Sequence, residues 1–509
     1  MRLHPGMEGF CGMRKIVLVL ASVSLALGVI YFGFNASSTP DIDEAQAQTV
    51  TTAPAQPNIV FILTDDMRKD DLQYMPQTKE LLQSRGMSFQ NAFVSNSLCC
   101  PSRATIMRGQ YSHNNGVWSN DPTTDANTSG GWQTYKRVGD ELDNVATRLH
   151  DAGYRTALIG KYLNGYRNTT EIPQGWDKWF VTVEPGTYDY FDYDMNDQGT
   201  PRHYGMSESD YKTDVLSRKT NAIITNSAPG GPFFAYVAPV APHEPATPAP
   251  RDAHTYDGIR GPRLPSFNEK DVSDKPSWMR RLPRLTATQI AGIDDRHERR
   301  VESLQAVDDL VGKMVGTLKN AGVMSNTYIV FTSDNGWHHG EHRVPQSKWR
   351  SYEEDVHMPL LVRGPGVAAG STTGKLVLNT DYLPTFTDLA GAQIPPYVDG
   401  RSLLPVLSGS ATSWRNAILL EAPPSLSARP AYRSIRTVST STTTKSKYVE
   451  HANGESELYR LDSDPYELIN RYSATNSPSK LASRLKALKT CAADAVAPAV
   501  TCQVAEGGK

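Results

Sequence analysis

Three things are missing from this sequence, and each absence closes off a class of function. An excess of charge of one sign is missing: 52 lysines and arginines stand against 54 aspartates and glutamates, for a net charge of −2. The charged runs are short, so the strongly basic face of a nucleic-acid-binding protein is not expected. Internal repeats are missing, so the chain is not a repeat array. Cysteine is scarce, with five in 509 residues, and none follows the N-terminal apolar run where a lipid could be attached; Cys11 precedes it. What is plentiful is material for a core. The chain is 39% hydrophobic, and since single cores stop growing near roughly 250–300 residues, two folded parts are expected.

Arg14 and Lys15 precede an apolar run from Ile16 to Phe34. At ~1.5 Å per helical residue it is just long enough to cross a bilayer. A polar, small-residue stretch follows to Pro57 and contains Ala45-Gln46-Ala47, which resembles a cleavage region. Residues 1–56 therefore read as a cleaved export signal or a membrane anchor, with a flexible linker. Both alternatives place the folded part outside the cytoplasm, secreted or attached to the membrane through residues 16–34. In that setting Cys491 and Cys502 read as a disulfide closing a short loop.

Four segments share one design. Ile59–Leu63 runs into Thr64-Asp65-Asp66, and Thr156–Ile159 into Gly160-Lys161. Phe233–Val237 runs into Ala241-Pro242-His243, and Tyr328–Phe331 into Ser333-Asp334-Asn335-Gly336. Continuous apolar runs of this length fit strands buried on both faces, as in a parallel sheet covered by helices. Ligands gather beyond the carboxyl ends of such strands, so four ends bearing charged or metal-binding groups would build one site. Helices alternate with the strands: an apolar stripe from Val301 to Leu318 ends at Gly322, and Thr78–Gly86 and Asp140–Gly153 read the same way. The expected fold is α/β, a large, mainly parallel sheet sandwiched by helices over residues 57–410. Pro245–Pro283 reads as a surface excursion. Residues 411–509 read as a smaller subdomain with an antiparallel sheet and a helix near Pro478–Lys489.

Asp65, Asp66, Asp334 and Asn335 offer three carboxylates and an amide oxygen, a hard-oxygen set that suits Ca²⁺ better than Mg²⁺. Cys99-Cys100-Pro101-Ser102-Arg103 places a proline for the first turn of a helix, with Cys99 at its N-terminus, where partial positive charge favours an anion. From the residues alone, Cys99 is either a catalytic thiol or a buried structural cysteine. His339 and His342 read as surface residues.

These segments carry a resemblance. Cys99-x-Pro101-Ser102-Arg103 resembles the signature of the formylglycine-dependent (type I) sulfatases of the alkaline phosphatase superfamily, in which a maturation enzyme oxidises the cysteine to formylglycine. Asn58–Asp66, Ser333–His338 with Lys348, Tyr352 and Glu353, and Met358–Gly366 resemble the family's metal- and sulfate-binding segments. Tyr459-Arg460-Leu461 with Asp464-Pro465 and Glu467 resembles its C-terminal block. Gly160–Tyr166 and Pro173–Asp177 resemble the N-acetylglucosamine-6-sulfatase and heparan endosulfatase branch.

The resemblance implies that Asp65, Asp66, Asp334, Asn335 and a formylglycine at Cys99 bind Ca²⁺, and that Arg103, Lys161, His243 and Lys348 surround the nucleophile and the sulfate. A hydrated formylglycine would attack sulfur, Lys161 and Lys348 would hold sulfate oxygens, and His243 would protonate the leaving alcohol. Many sulfatases carry a histidine two residues after the equivalent of Lys161. Here that residue is Leu163, which leaves Asn164 or His338 to orient the formylglycine. The implied substrate is a sulfated small molecule or glycan, especially a 6-sulfated amino sugar, and the implied maturation partner is the formylglycine-generating enzyme. The alternatives are an arylsulfatase, a phosphodiester or phosphonate monoester hydrolase of the same superfamily, and an inactive sulfatase-fold carbohydrate-binding protein.

Overall fold

The computed structural model describes residues 56–423, 430–440, 444–473, 475–493 and 500–507. The apolar run 16–34 and the cleavage-like Ala45–Ala47 lie outside them. Among the described residues no helix is long and apolar enough to cross a membrane.

The apolar runs form strands because their side chains are buried on both faces. β1 (Asn58–Thr64) is buried along its whole length, and each large apolar side chain removed from water is worth about 1.5–3 kcal/mol. β2 spans Met87–Phe93, β3 Arg155–Gly160, β4 Lys178–Thr182, β5 Tyr193–Asp197 and β6 Thr200–Tyr204. β7 spans Phe233–Ala238, β8 Thr327–Ser333, β9 Leu360–Arg363 and β10 Ser371–Leu378. The ten form one sheet in the order β10-β2-β9-β8-β1-β7-β3-β4-β5-β6. Its centre, β8-β1-β7-β3-β4, is parallel. The two β9 pairings and the β4-β5-β6 edge are antiparallel.

The strands singled out in the sequence are thus the four central neighbours. Thr64 pairs with Ser333, Ile62 with Val237 and Gly160 with Ala238, so the four chain exits lie side by side. Gly160 is required there: its φ is +118°, and a Cβ would stand 2.1 Å from the Ala238 carbonyl oxygen. Only glycine lets β3 lie this close to β7 as it turns into Lys161.

The predicted stripe at 301–318 is the buried part of a longer helix, Ala287–Asn320, opened by a Thr286/Gln289 capping box. Residues 78–86 depart from a plain α-helix, forming a short helix Pro76–Thr78 and a π turn Lys79–Gln83. Residues 140–153 divide into a 3₁₀ turn Asp140–Leu142 and a helix Val145–Asp151 capped by Asn144. The segment 245–283 is less superficial than expected. It buries Ser266, Glu269, Lys275 and Met279, and Lys275 Nζ donates to the Glu467 and Leu468 carbonyls at 2.8 and 2.6 Å.

A second, antiparallel sheet of four strands follows: β11 (Ala417–Ala422), β12 (Tyr432–Thr437), β13 (Ser446–His451) and β14 (Ser456–Arg460). The helix Ser479–Leu488 packs on it, and Cys491 and Cys502 are bridged. This part reaches the end of the large sheet that bears the exits. Lys447 Nζ donates to the Ser351 carbonyl at 2.6 Å, the Tyr352 hydroxyl to Glu457 Oε2 at 2.6 Å, and the Glu353 N–H to Glu467 Oε2 at 2.9 Å. The segment that follows Lys348 is therefore held from the C-terminal sheet.

Candidate active site

Leu98 is extended, and Cys99 opens the helix Cys99–Arg108 as its first residue. The helix points Cys99 at the exits of β1, β3, β7 and β8. Cys99 is fully buried, its Sγ 3.3 Å from Asp65 Oδ1 and 2.7 Å from Lys348 Nζ. Burial, and then the Asp65 carboxylate, push its thiol up to about 12. As a plain cysteine it is held neutral, which is not how a thiolate nucleophile is activated.

Around it, three carboxylates interlock with three cations. Lys161 Nζ lies 2.5 Å from Asp65 Oδ2, Lys348 Nζ pairs with Asp66, and Arg103 Nε donates to Asp334 Oδ2 at 2.8 Å. Arg103 also lies 3.6 Å from Asp65 Oδ2 and donates to the Lys161 carbonyl at 3.0 Å. Burial alone would raise the Asp65 carboxyl, but the cations Lys161, Arg103 and Lys348 outweigh it and hold it ionised. The Asp66 N–H donates to Asp334 Oδ1 at 3.1 Å, and Asp66 takes a left-handed φ of +66°, strain that marks a functional turn. His243 Nδ1 lies 2.7 Å from the Glu244 carbonyl oxygen and Nε2 3.6 Å from Asp66 Oδ2. Nδ1 therefore carries the proton of the neutral ring, and Nε2 faces the acids. Burial holds this imidazole below its usual range.

The residues fit a hard divalent cation. Asp66 Oδ2 and Asn335 Oδ1 are buried without a hydrogen-bond partner, while Asn335 Nδ2 is committed to Asp66 Oδ1 and the Gly336 carbonyl. Buried oxygen acceptors left open beside three carboxylates are what a cation satisfies. Three negative and three positive side chains cancel, so a bound divalent ion would make the site a receptor for an anion. Ligand atoms of Asp65, Asp66, Cys99 and His243 lie within 4.8 Å of one another, which adds His243 to the groups able to hold that ion.

All nine candidate residues, Asp65, Asp66, Cys99, Arg103, Lys161, His243, Asp334, Asn335 and Lys348, come together here. Two expectations are corrected: His339 and His342 are fully buried, not superficial. His342 Nδ1 lies 2.7 Å from Glu269 Oε2, and the His339 ring packs edge-on against His297 with centroids 5.2 Å apart; both neighbours come from segments remote in sequence. Two neighbours of the site were not foreseen. Arg300, from the long helix, donates to the Asp66 carbonyl at 2.5 Å, and Tyr188 contacts Lys161. Neither lies in a motif, so no local signal could have found them.

The family model described as Sulfatase matches residues 57–392, and that described as N-sulphoglucosamine sulphohydrolase, C-terminal, matches 340–492. Human N-acetylglucosamine-6-sulfatase is 35% identical over 384 residues, 73% of this chain and 68% of the relative. An arylsulfatase of Volvox carteri is 32% identical over 501 residues, 87% and 75%. A solved protein in complex with its substrate D-glucosamine-2-N,6-O-disulfate superposes with a TM-score of 0.71 at 26% identity, over 85% of this chain and 97% of that one. The phosphonate monoester hydrolase of Agrobacterium radiobacter (TM-score 0.65, 21% identity, 85% and 94% covered) shares the fold. With the family model spanning the whole catalytic sheet and a curated relative aligned over most of both chains, the protein belongs to the sulfatase family.

Proposed function

We propose that the protein hydrolyses sulfate esters of sulfated amino sugars, such as 6-sulfated N-acetylglucosamine, using a formylglycine made from Cys99 and one Ca²⁺. The observation that carries this is the placement of Cys99 Sγ, 2.7 Å from Lys348 Nζ and 3.3 Å from Asp65 Oδ1, among oxygens left open for a cation. Asp65, Asp66, Asp334 and Asn335 would hold the ion, with the residue at 99 completing its shell. Together these two groups supply an oxygen nucleophile at position 99 and an electrophilic seat for sulfate. Arg103 fixes Asp334 and Asp65. Lys348 and Lys161 donate to sulfate oxygens whose charge grows during the reaction. His243 Nε2, once protonated, gives its proton to the leaving sugar oxygen.

On this reading residues 57–410 form the catalytic domain, and residues 411–509 brace the segment after Lys348. Maturation requires the formylglycine-generating enzyme. The Cys491–Cys502 bridge supports a location outside the cytoplasm, reached through residues 1–56 as signal or anchor. The shared fold with a phosphonate monoester hydrolase keeps that chemistry as the second reading.

The test is a screen of the matured protein against sulfated N-acetylglucosamine, heparan fragments, aryl sulfates and phosphonate monoesters, with mass spectrometry of the peptide carrying residue 99. Amino-sugar sulfates are expected to give the highest kcat/KM, and residue 99 to react with a hydrazide probe. A preference for phosphonate monoesters, or full activity with unmodified Cys99, would overturn the proposal.

A further inference from the structure

Leu163, where many sulfatases carry a histidine, is buried in the hydrophobic core and offers no polar atom. His338 is anchored through Nδ1, 2.5 Å from Asp355 Oδ1, and through its N–H, which donates to the Ser347 carbonyl at 2.8 Å, while its Nε2 is buried without a partner and makes no hydrogen bond with Lys161. The polar group beside Lys161 comes instead from the 3₁₀ turn Gly186–Tyr188. The Tyr188 hydroxyl accepts from Lys161 Nζ at 3.1 Å and from Asn164 Nδ2 at 2.6 Å. Lys161 Nζ lies 4.6 Å from the Tyr188 ring centroid, and the same ring stacks on His243 with centroids 4.1 Å apart at 23°.

One side chain therefore touches both the cation and the imidazole assigned to the sulfate and the leaving group. Its two lone pairs are filled by Lys161 and Asn164, so its own O–H remains available as a donor. The turn is secured from behind. The buried Lys212 Nζ donates to the Gly186 and Thr187 carbonyls, both at 2.9 Å, and the Tyr190 hydroxyl, two residues on, donates to the His243 carbonyl at 2.8 Å.

We propose that Tyr188 is the positioning residue of this site: its hydroxyl, fixed by Asn164, holds Lys161, and its ring holds His243. The inference rests on the sulfatase reading of Lys161 and His243 given above. The two contacts are chemically separable. Tyr188→Phe keeps the ring and removes the hydroxyl, so kcat/KM should fall about tenfold, the size expected for losing one hydrogen bond to a charged group. The fall should be equal for aryl and sugar sulfates, because both present the same sulfate to Lys161. Asn164→Ala should follow in the same direction, and adding it to Tyr188→Phe should cost little more. Tyr188→Leu removes the stack as well. It should lower turnover of sugar sulfates at least about tenfold more than that of activated aryl sulfates, since only a poor leaving group needs the His243 proton.

The measurement is kcat/KM of matured wild type and variants on substrates of graded leaving-group basicity, with Tm for each. A purely structural role would lower all substrates together, in step with Tm. Tyr188→Phe within twofold of wild type on both classes would overturn the proposal. So would a folded Tyr188→Leu with equal losses on both. If Tyr188→Leu does not fold, the near-isosteric Tyr188→Phe decides. Matured wild type inactive on every sulfate ester would remove the sulfatase reading and this inference with it. An active wild type with flat variants would remove only this inference.

Discussion

At the scale of the residue, the site is an exercise in charge balance. Three buried carboxylates would be costly alone, and Lys161, Lys348 and Arg103 offset them at 2.5–2.8 Å or closer. On the proposed function Lys161 and Lys348 would turn to the sulfate once it binds, and removal of either should weaken every substrate alike. Lys348→Ala is expected to lower kcat/KM on aryl and sugar sulfates by similar factors, about one to two decades for a lost contact of about 1.5–3 kcal/mol. His243→Ala should behave differently, slowing sugar sulfates far more than electron-poor aryl sulfates, because a phenolate leaves without a proton. A leaving-group series on both variants checks this. Parallel profiles would assign His243 to the metal or the sulfate, a role its 3.6 Å approach to Asp66 Oδ2 also allows.

At the scale of the element, the exits of four adjacent strands and one helix start are tied together by buried acids. Asp399 is an instance away from the chemistry. Its Oδ2 accepts from the Tyr111 N–H at 2.9 Å and from Asn114 Nδ2 at 2.8 Å, linking the loop before the short helix Leu404–Leu407 to the turn after the Cys99 helix. Burial pushes its carboxyl up to about 7, against the pull of these donors. A carboxyl raised in the fold stays protonated there while the unfolded chain ionises, so its contribution to stability falls as pH rises from about 4 to 7. Asp399→Asn keeps an acceptor without the charge. It should gain thermal stability over wild type progressively between those pH values, the gap levelling above pH 7. Melting curves at pH 5 and 8 measure it, and an equal gap at both would refute the assignment.

At the scale of the whole molecule, the C-terminal sheet completes the enzyme from outside the motif-bearing sheet, through Lys447, Glu457 and Glu467. Its own end is closed by Cys491–Cys502, eleven residues apart in sequence. Loop-closure entropy for a ring of this size predicts about 3 kcal/mol. Cys502→Ser should lower Tm while leaving kcat/KM of the surviving folded protein close to wild type, because the bridge lies at the terminal helix and not at Cys99. A large loss of kcat/KM at unchanged Tm would show that the bridge acts on the site directly.

The sequence by itself determined the four central strands, the helix opening at Cys99, the glycine-terminated exit before Lys161 and all nine residues that meet in the site. Each is written locally: an uninterrupted apolar run is enough to bury a strand on both faces, and the proline two residues after Cys99 is enough to set the helix start. Much of the periphery was also local, but propensity left it ambiguous, as at 78–86 and 140–153. What only the tertiary structure decided is set by packing between distant segments. Strand order made the exits adjacent. Folding 245–283 back onto the C-terminal part turned an apparent surface loop into buried structure, and the segment after Asn335 carried His339 and His342 inside. Tyr188, from an irregular turn with no motif, reached Lys161 and His243 because Lys212 and the β3–β7 pairing hold both walls of the site at contact distance, a condition no stretch of sequence states on its own.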